Sequence, residues 1–311
     1  MAESNCDILL RIYPQISELD KLQATLTVNC VLNSFICYTA IMLNILTIYA
    51  ITKTSALPKP LKTLLVSVAV SDVGVGLIVE PFYLSLFFKW LQLQNPDCTF
   101  FLGLHVILML FSKASFLNVM AISVDRFLAV ELHLRYQTIV THKRVVGVVI
   151  SIWTFTILSS LALLLFPFAV LSTILSVIGT ICLLVTTAIY CKIYYITRRH
   201  KREIQAQQVQ EQEARSRQNS EMRNLARNMK TAVGVLYVYF AFLVCYFPRF
   251  IILLARAKNV PSIVVASVQL YTYTLMFFNS SLNPIIYGWT IRHIRHAMVD
   301  TLRKLYTNRV F

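Results

Sequence analysis

Seven long stretches of mostly apolar residues recur along the chain and constrain its fold more than any other feature. At about 1.5 Å per residue, each is long enough to cross a hydrocarbon core of about 30 Å as an α-helix. They lie at residues 26–52, 62–88, 99–131, 145–166, 168–196, 231–255 and 262–288, called spans one to seven below. The sequence therefore predicts an all-α membrane protein, a bundle of seven transmembrane helices.

Spans four and five need a separate argument, because no charged residue occurs between Val145 and Cys191. One helix over that stretch would be about 70 Å long, roughly twice the thickness of a bilayer. The chain must therefore turn back, and Pro167 marks the turn. Little chain is left for an outer loop between these two spans.

The basic residues are distributed unevenly between the two sides of the membrane. If the amino terminus is outside, 22 of the 29 Lys and Arg residues fall on the cytoplasmic side, as the positive-inside rule requires. The net charge of +15 is then explained without a nucleic-acid partner, and anionic inner-leaflet lipid is its natural counter-charge. We predict a multi-pass plasma-membrane protein whose residues 1–25 are extracellular and not cleaved as a signal peptide.

The segments outside the spans carry three further predictions. Residues 198–227 form a polar third cytoplasmic loop. Its composition is compatible with helical extensions of the neighbouring spans or with a mobile loop. Residues 290–305 place apolar side chains at helical spacing between bases, which predicts an amphipathic helix on the inner surface, followed by a short tail, 306–311. Cys6 and Cys98 are the two cysteines on the predicted extracellular, oxidising side of the membrane. They can form a disulfide or remain two unpaired thiols, and the sequence favours neither alternative.

Polar side chains at bilayer depth cost about 2.5–3.5 kcal/mol each on insertion scales, so we expect them to face the bundle interior. In the inner half they form one predicted strip: Asn44, Asp72, Ser115, Asn118, Asn279, Ser280 and Asn283. Asp72 among hydroxyls and amides predicts either an oxygen cage for a small cation or hydrogen bonds that hold helices together. At the inner edge, Asp125 and Arg126 predict a buried pair that a docking partner can compete for, although a snorkelling arginine is the simpler alternative.

Short motifs on these spans, in order, resemble those of the rhodopsin-like G-protein-coupled receptors. Asn44 and Trp153 take the characteristic positions of spans one and four. The other motifs are "VAVSD" ending at Asp72, "DRF" at 125–127, "YCKI" at 190–193, "FLVCYFP" at 242–248 and "NPIIY" at 283–287. Each motif alone is weak, but their order over nearly the whole chain is specific.

The resemblance implies an extracellular ligand, a heterotrimeric G protein as partner, and an allosteric sodium ion in place of a cofactor. The implied sodium ligands are Asp72, Ser115, Asn279, Ser280 and Asn283. The implied switch residues are Asp125, Arg126, Phe127, Tyr190, Phe242, Pro248, Asn283, Pro284 and Tyr287. A role for Pro248 and Pro284 in the switch also has a physical reason, because a proline inside a helix removes a backbone hydrogen bond and provides a hinge.

The chain also departs from the family pattern. Phe101 replaces the cysteine expected on span three, and Cys182 stands where span five usually has a proline. These absences resemble the melanocortin, sphingolipid, cannabinoid and adenosine receptor group, and melanocortin receptors above all. Asn228 replaces the glutamate that holds Arg126 to span six in some relatives, so we expect a weaker inactive latch.

Polar and aromatic residues of the outer half are the candidate ligand contacts: Glu80, His105, Leu108, Ser112, Lys113, Tyr246, Arg249, Phe250 and Arg256. Leu108 stands where amine receptors carry an aspartate, and no lysine for retinal lies between Pro261 and Trp289. The Arg249 guanidinium needs an acid, either Glu80 or an anionic group of the ligand. We therefore predict an anionic or amphipathic small molecule, or a short peptide.

A transporter and an enzyme are the other two classes of protein to consider for this chain. A transporter that uses the mid-membrane polar residues is the alternative, but only spans six and seven place a proline near polar clusters. An enzyme is not expected, because the six histidines form no catalytic or metal-binding motif. With so short a tail, arrestin would depend on Ser216, Ser220 or loop threonines, and we expect its recruitment to be weak.

Overall fold

The computed structural model describes residues 13–14, 16–55, 57–94, 96–132, 135–208, 231, 233–249, 251–252 and 262–310. The spans are formed by these helices, in chain order: Ile16–Lys53, Lys59–Gly74 continued by Val75–Val79 and Glu80–Leu91, Cys98–Glu131, His142–Leu165, Phe168–Gln208, Val233–Arg249 and Ser262–Thr290. A short helix, Tyr136–Ile139, links spans three and four, and Arg292–Val310 follows span seven. The described chain is an all-α bundle with spans in the predicted order.

By length and composition, five of the described helices can cross a membrane, and they are those of spans one to five. The described part of span six is shorter, and span seven includes polar side chains that are buried inside the bundle. Lipid-exposed side chains on spans four and five are large and apolar, such as Leu165, Leu184 and Tyr195. This distribution is that of a bundle whose outer surface faces hydrocarbon.

Three helices extend further than the sequence predicts. Span one begins at Ile16, because Leu19, Leu22 and Leu26 are buried at helical spacing. Span five continues to Gln208, inside the predicted loop 198–227, whose residues 209–227 lie outside the described part. The helix after span seven begins at Arg292 and continues through the predicted tail to Val310, since no glycine or proline interrupts it.

Span two contains a π-helical turn at Val75–Val79. The wider turn leaves backbone groups without their usual partners, and the Cys37 Sγ donates a hydrogen bond to the Gly76 carbonyl oxygen at 3.2 Å. Gly74 lies against the Phe111 ring, and a Cβ at this position would collide with that ring. The π-turn rotates the outer part of span two relative to a regular helix.

The apolar core has an inner and an outer cluster. The inner cluster packs around Val68, Tyr190 and Tyr287, and the outer cluster around Trp90 and Tyr273. Buried polar residues of spans one, two, three and seven lie on the faces that these clusters share. The fold thus places polar side chains at the centre of a bundle with an apolar surface.

Candidate functional site

Three spans meet through hydrogen bonds at Asp72, which is fully buried. Asn283 Nδ2 of span seven donates to Asp72 Oδ2 at 2.7 Å. Ser115 Oγ of span three donates to Asp72 Oδ1 at a longer 3.4 Å. These three residues, called the Asp72 cluster below, join spans two, three and seven inside the bundle, where the sequence placed them.

The amides around the Asp72 cluster add more oxygen atoms. Asn44 Nδ2 donates to the backbone oxygens of Ala40 at 2.8 Å and Ser280 at 2.9 Å. The side-chain oxygens of Asn118 and Asn279 are buried and accept no hydrogen bond from the described residues. Carboxylate, amide and hydroxyl oxygens are the ligands that a hard cation prefers.

The donor set also argues against a transition metal. Within the described ranges, no three His, Cys, Asp or Glu side chains are grouped closely enough to hold a metal ion. Softer metals favour imidazole and thiolate ligands, whereas Asp72 is surrounded by hydroxyls and amides. Asp72 with hydroxyl and amide oxygens is thus an oxygen donor set, and whether it holds an ion stays a prediction.

Spans one and seven share hydrogen bonds that the sequence analysis missed. Thr274 Oγ1 donates to Asn29 Oδ1 at 2.7 Å and accepts from Asn33 Nδ2 at 2.8 Å. A second contact between spans one and seven lies nearer the inner half of the bundle, where the hydroxyl oxygens of Thr39 and Ser281 are 2.9 Å apart. Asn29 and Asn33 are separated by one helical turn, which was the signal available in the sequence.

Arg126 lies at the inner end of span three and is almost fully buried. Its Nε donates to Asp125 Oδ2 at 2.9 Å, and its terminal nitrogen contacts the same oxygen. Tyr136, from the short helix after span three, donates its hydroxyl to Asp125 Oδ1 at 2.7 Å. The predicted Asp125–Arg126 pair is therefore present, and the Tyr136 hydroxyl contacts both of its members.

Tyr136 was not predicted from the sequence, since it lies in an interhelical segment without a hydrophobic period. Burial, and then the negative charge of Asp125, raise the pKa of the Tyr136 phenol. The phenol therefore remains protonated over the physiological pH range and can donate to Asp125. We call Asp125, Arg126 and Tyr136 together the inner ion pair.

Tyr190 of span five links the inner ends of three spans. Its hydroxyl is 2.7 Å from Ser123 Oγ of span three and donates to the Val235 backbone oxygen of span six at 3.2 Å. Its ring stacks on Tyr239 with the ring centroids 4.7 Å apart. Tyr190 thus holds span six against span three, and it makes no hydrogen bond with Arg126 in this conformation.

A second contact between spans three and five lies near the cytoplasm. Lys192 Nζ is 3.2 Å from Glu131 Oε1 and 4.9 Å from the centroid of the Phe127 ring. Phe127 takes the position of a tyrosine in the motif that it resembles, and here its ring faces the lysine. Because Lys192 and Glu131 are both exposed, the pair is worth at most about 1 kcal/mol.

Aromatic rings connect the middle of span six to span three. Phe242 stacks on Tyr246 with the ring centroids 3.9 Å apart, and on Phe116 with the centroids 5.2 Å apart. Pro248 follows Tyr246 by two residues and Phe242 by six, and Pro284 lies inside the helix of span seven. Tyr287 is buried, and its hydroxyl makes no hydrogen bond within the described part of the chain.

The outer half contains Arg249, whose nitrogen donates to the Tyr273 hydroxyl at 3.1 Å. The guanidinium also lies over the Tyr273 ring, 5.5 Å from its centroid. Glu80 is fully buried, and neither of its oxygens is bonded to a described residue. The internal Glu80–Arg249 pair, one of two sequence-based alternatives, is therefore not formed among the described residues, where Arg249 bonds Tyr273 and Glu80 follows directly after the π-turn.

The remaining described candidate ligand contacts differ in burial and in the span that they face. His105 and Leu108 are buried, and Ser112 and Tyr246 are half-buried. Lys113 turns towards span four, where its Nζ donates to Ser159 Oγ at 2.7 Å. Phe250 and Arg256 lie outside the described residues.

Cys98, at the outer end of span three, is disulfide-bonded. Cys6, the partner considered from the sequence, lies outside the described residues, so the pairing stays a prediction. The five described cysteines other than Cys98 are free thiols.

Comparison with known proteins identifies what this arrangement is similar to. The model of the 7 transmembrane receptor (rhodopsin family) matches residues 43–170 and 168–287. The histamine H2 receptor of Rattus norvegicus is 30% identical over 298 residues, which cover 90% of this chain and 80% of that receptor. The adenosine receptor A2a of Canis lupus familiaris is 23% identical over 87% of this chain and 70% of its own length.

Matches to the adenosine receptors A2b are shorter. The receptor of Gallus gallus is 32% identical over 127 residues, which cover 41% of this chain and 36% of the receptor. The chain thus aligns with about a third of this relative's length. These relatives are named as receptors for two different ligands, histamine and adenosine. Their similarity therefore assigns no ligand to this chain.

Proposed function

Because this chain belongs to the rhodopsin family of seven-transmembrane receptors, we propose that it binds an extracellular ligand in the outer half of its bundle and activates a heterotrimeric G protein at the inner end. Its amino terminus faces outside, and its site of action is the plasma membrane. The observation that carries the proposal is the buried inner ion pair, in which Asp125 and Tyr136 hold Arg126. The match to a receptor family leaves the transporter alternative without support.

The inner ends of spans three, five and six supply the switch. In the described conformation, Tyr190 is bonded to Ser123 and to the Val235 carbonyl, and Arg126 is bonded to Asp125. Outward movement of span six breaks the Tyr190–Val235 bond and opens the inner face of the bundle. Arg126 is then exposed to a G-protein segment, and Tyr190 is free to turn towards it.

The movement needs a hinge and a link to the ligand cavity. Pro248 lies between the Phe242–Tyr246 stack and Arg249, so a ligand that contacts Arg249 acts directly above the hinge. Pro284 and Asn283 give span seven a comparable position beside the Asp72 cluster. Ligand contacts above Pro248 can therefore bias the position of the inner half of span six.

The proposed ligand carries a negative charge that Arg249 binds. In the described residues, the guanidinium has the Tyr273 hydroxyl and ring as its neighbours and no carboxylate within salt-bridge distance. A phenol only partly compensates a buried guanidinium, whereas a carboxylate or phosphate does so through charge-assisted hydrogen bonds. Anionic or amphipathic small molecules and short acidic peptides fit this requirement, and amines do not.

A sodium ion at the Asp72 cluster completes the proposal as an allosteric ligand. Asp72, Ser115, Asn279, Ser280 and Asn283 supply the oxygens. An ion there stabilises the conformation in which spans two, three and seven are close together. Membrane lipid at the basic inner surface and a weakly recruited arrestin are the further proposed partners.

A ligand screen with a readout for all G-protein classes tests this function. Cells that express the chain are compared with cells that express Arg126→Ala, and surface expression is measured for both. A response of the wild-type chain that Arg126→Ala lacks supports the proposal. Uptake of the compound without G-protein activation in either case would contradict it.

A further inference from the structure

Lys113 and Arg126 are the two lysine or arginine residues of span three. Lys113 lies thirteen residues before Arg126, about 20 Å along the helix axis and therefore near the middle of the bilayer. Its Nζ donates to Ser159 Oγ of span four at 2.7 Å. When it is protonated, the Lys113 nitrogen has three donors, and this bond uses one of them.

Among the described residues, no acid forms an ion pair with Lys113. The part of the chain that the structure describes contains two ion pairs, Arg126–Asp125 and Lys192–Glu131. Residues 145–191, which include all of span four and most of span five, contain no charged side chain. A charged residue at this depth normally pairs with another or marks a pathway for a ligand or ion.

The partner of the Lys113 nitrogen is a hydroxyl that is itself incompletely bonded. Ser159 Oγ accepts from Lys113, and its own donor reaches only the Thr156 carbonyl at a long 3.4 Å. One base and one hydroxyl with a weakly used donor suit a single carboxylate.

The site is close to the lipid-facing surface of span four. Lys113 and Ser159 are half-buried, whereas Leu158 and Leu161 next to them are exposed on the outside of the bundle. Further along the same helix, Leu164 and Leu165 continue this exposed apolar surface. A molecule with an acid head at Lys113 can therefore lay a hydrocarbon chain along span four without leaving the membrane.

We propose that Lys113 and Ser159 bind the carboxylate of a long-chain fatty acid that enters from the bilayer. A carboxylic acid crosses hydrocarbon in its protonated, neutral form and ionises beside the Lys113 nitrogen, so no net charge is carried in from water. The Lys113 amine, which is neutral while the site is empty, takes the acid proton and becomes an ammonium, and the carboxylate accepts hydrogen bonds from Nζ and from the Ser159 hydroxyl. Phosphate and sulfonate groups stay charged and do not have this route.

This site is separate from the Arg249 site proposed for the extracellular ligand. Lys113 is bonded to span four, whereas Arg249 is bonded to Tyr273 of span seven. Fatty-acid binding therefore does not depend on the proposed anionic agonist. A variant of each base distinguishes the two sites.

Binding of radiolabelled oleate to the purified full chain in lipid nanodiscs tests the proposal, with excess unlabelled oleate to define saturable binding. We expect saturable binding by the wild-type chain, weakened at least tenfold in Lys113→Gln and a few-fold in Ser159→Ala. Lys113→Arg keeps the charge and should retain most of the affinity. Arg249→Gln should bind oleate as the wild-type chain does.

Three outcomes would overturn the inference. The first is wild-type oleate affinity in Lys113→Gln with an unchanged melting temperature. The second is a loss of binding in Arg249→Gln alone, which would place the acid in the extracellular cavity. The third is equal competition by acetate and oleate, because a site that opens to the bilayer should prefer the long chain.

Discussion

Asn283 donates a 2.7 Å hydrogen bond to Asp72, so the proline-containing part of span seven is bonded to the middle of span two. Ser115 reaches the other carboxylate oxygen at 3.4 Å. Both bonds lie inside the bundle, but they differ in length, so the loss of each bond should lower the stability of the receptor by a different amount.

Asn283→Ala should destabilise the receptor more than Ser115→Ala does. Removing the short bond to a buried carboxylate should cost about 1.5–3 kcal/mol, since hydrogen bonds to charged groups are the stronger ones. Removing the 3.4 Å bond should cost less. Thermal unfolding in detergent at equal salt gives both values, and equal effects of the two substitutions would show that Asp72 does not depend on Asn283.

Sodium should stabilise the wild-type receptor and not an Asp72→Asn variant. An ion that binds only the folded state raises stability with its concentration. The measurement is the melting temperature in sodium chloride against choline chloride at the same ionic strength. An equal response of both proteins would show that the ion does not bind at the Asp72 cluster.

Ser123→Ala should raise basal G-protein activation. Ser123 is the span-three partner of Tyr190, which in turn holds the Val235 carbonyl of span six. Loss of one such bond, worth about 1 kcal/mol, shifts a two-state equilibrium about fivefold. Ser151→Ala is the matched control, because the Ser151 hydroxyl is exposed and bonds only within its own helix, to the Gly147 oxygen. An unchanged basal rate in Ser123→Ala would contradict the role of Tyr190.

Arg249→Gln should weaken an anionic agonist about ten- to hundredfold, the effect of losing one charge-assisted hydrogen bond. Tyr273→Phe should weaken it less, because it keeps the guanidinium and the ring beneath it. Dose–response curves for the agonist from the ligand screen give both ratios. If neither variant changes potency, the ligand is not bound through Arg249.

Some of the site followed from the sequence because hydrocarbon restricts where polar groups can lie. Asp72, Asn283 and Ser115 could be placed together, since each would be costly on a lipid-facing surface. The same argument placed Arg126 at the inner edge beside Asp125. Fold class and span order needed only the lengths of the apolar stretches.

The other contacts of the site depend on local backbone geometry and on how the helices pack, and neither can be read from the pattern of apolar residues. The Glu80–Arg249 pair was one of two alternatives for Arg249, and the sequence gives no sign of the π-turn at Val75–Val79 that directly precedes Glu80. Tyr136 lies in a four-residue helix outside the spans, where no apolar period indicates its direction. Asn29 and Asn33 were visible as a one-turn repeat but could not be paired with Thr274 without knowing how spans one and seven meet.

The central claim is that release of Arg126 from the inner ion pair activates a G protein. Its most direct test is nucleotide exchange on purified heterotrimeric G proteins by the receptor in nanodiscs, for the wild-type chain, Tyr136→Phe, and Tyr136→Phe combined with Arg126→Ala. Tyr136→Phe removes the hydrogen bond to Asp125 and should accelerate basal exchange severalfold, and the added Arg126→Ala should abolish that gain. Exchange by the double variant at the rate of Tyr136→Phe would contradict the claim.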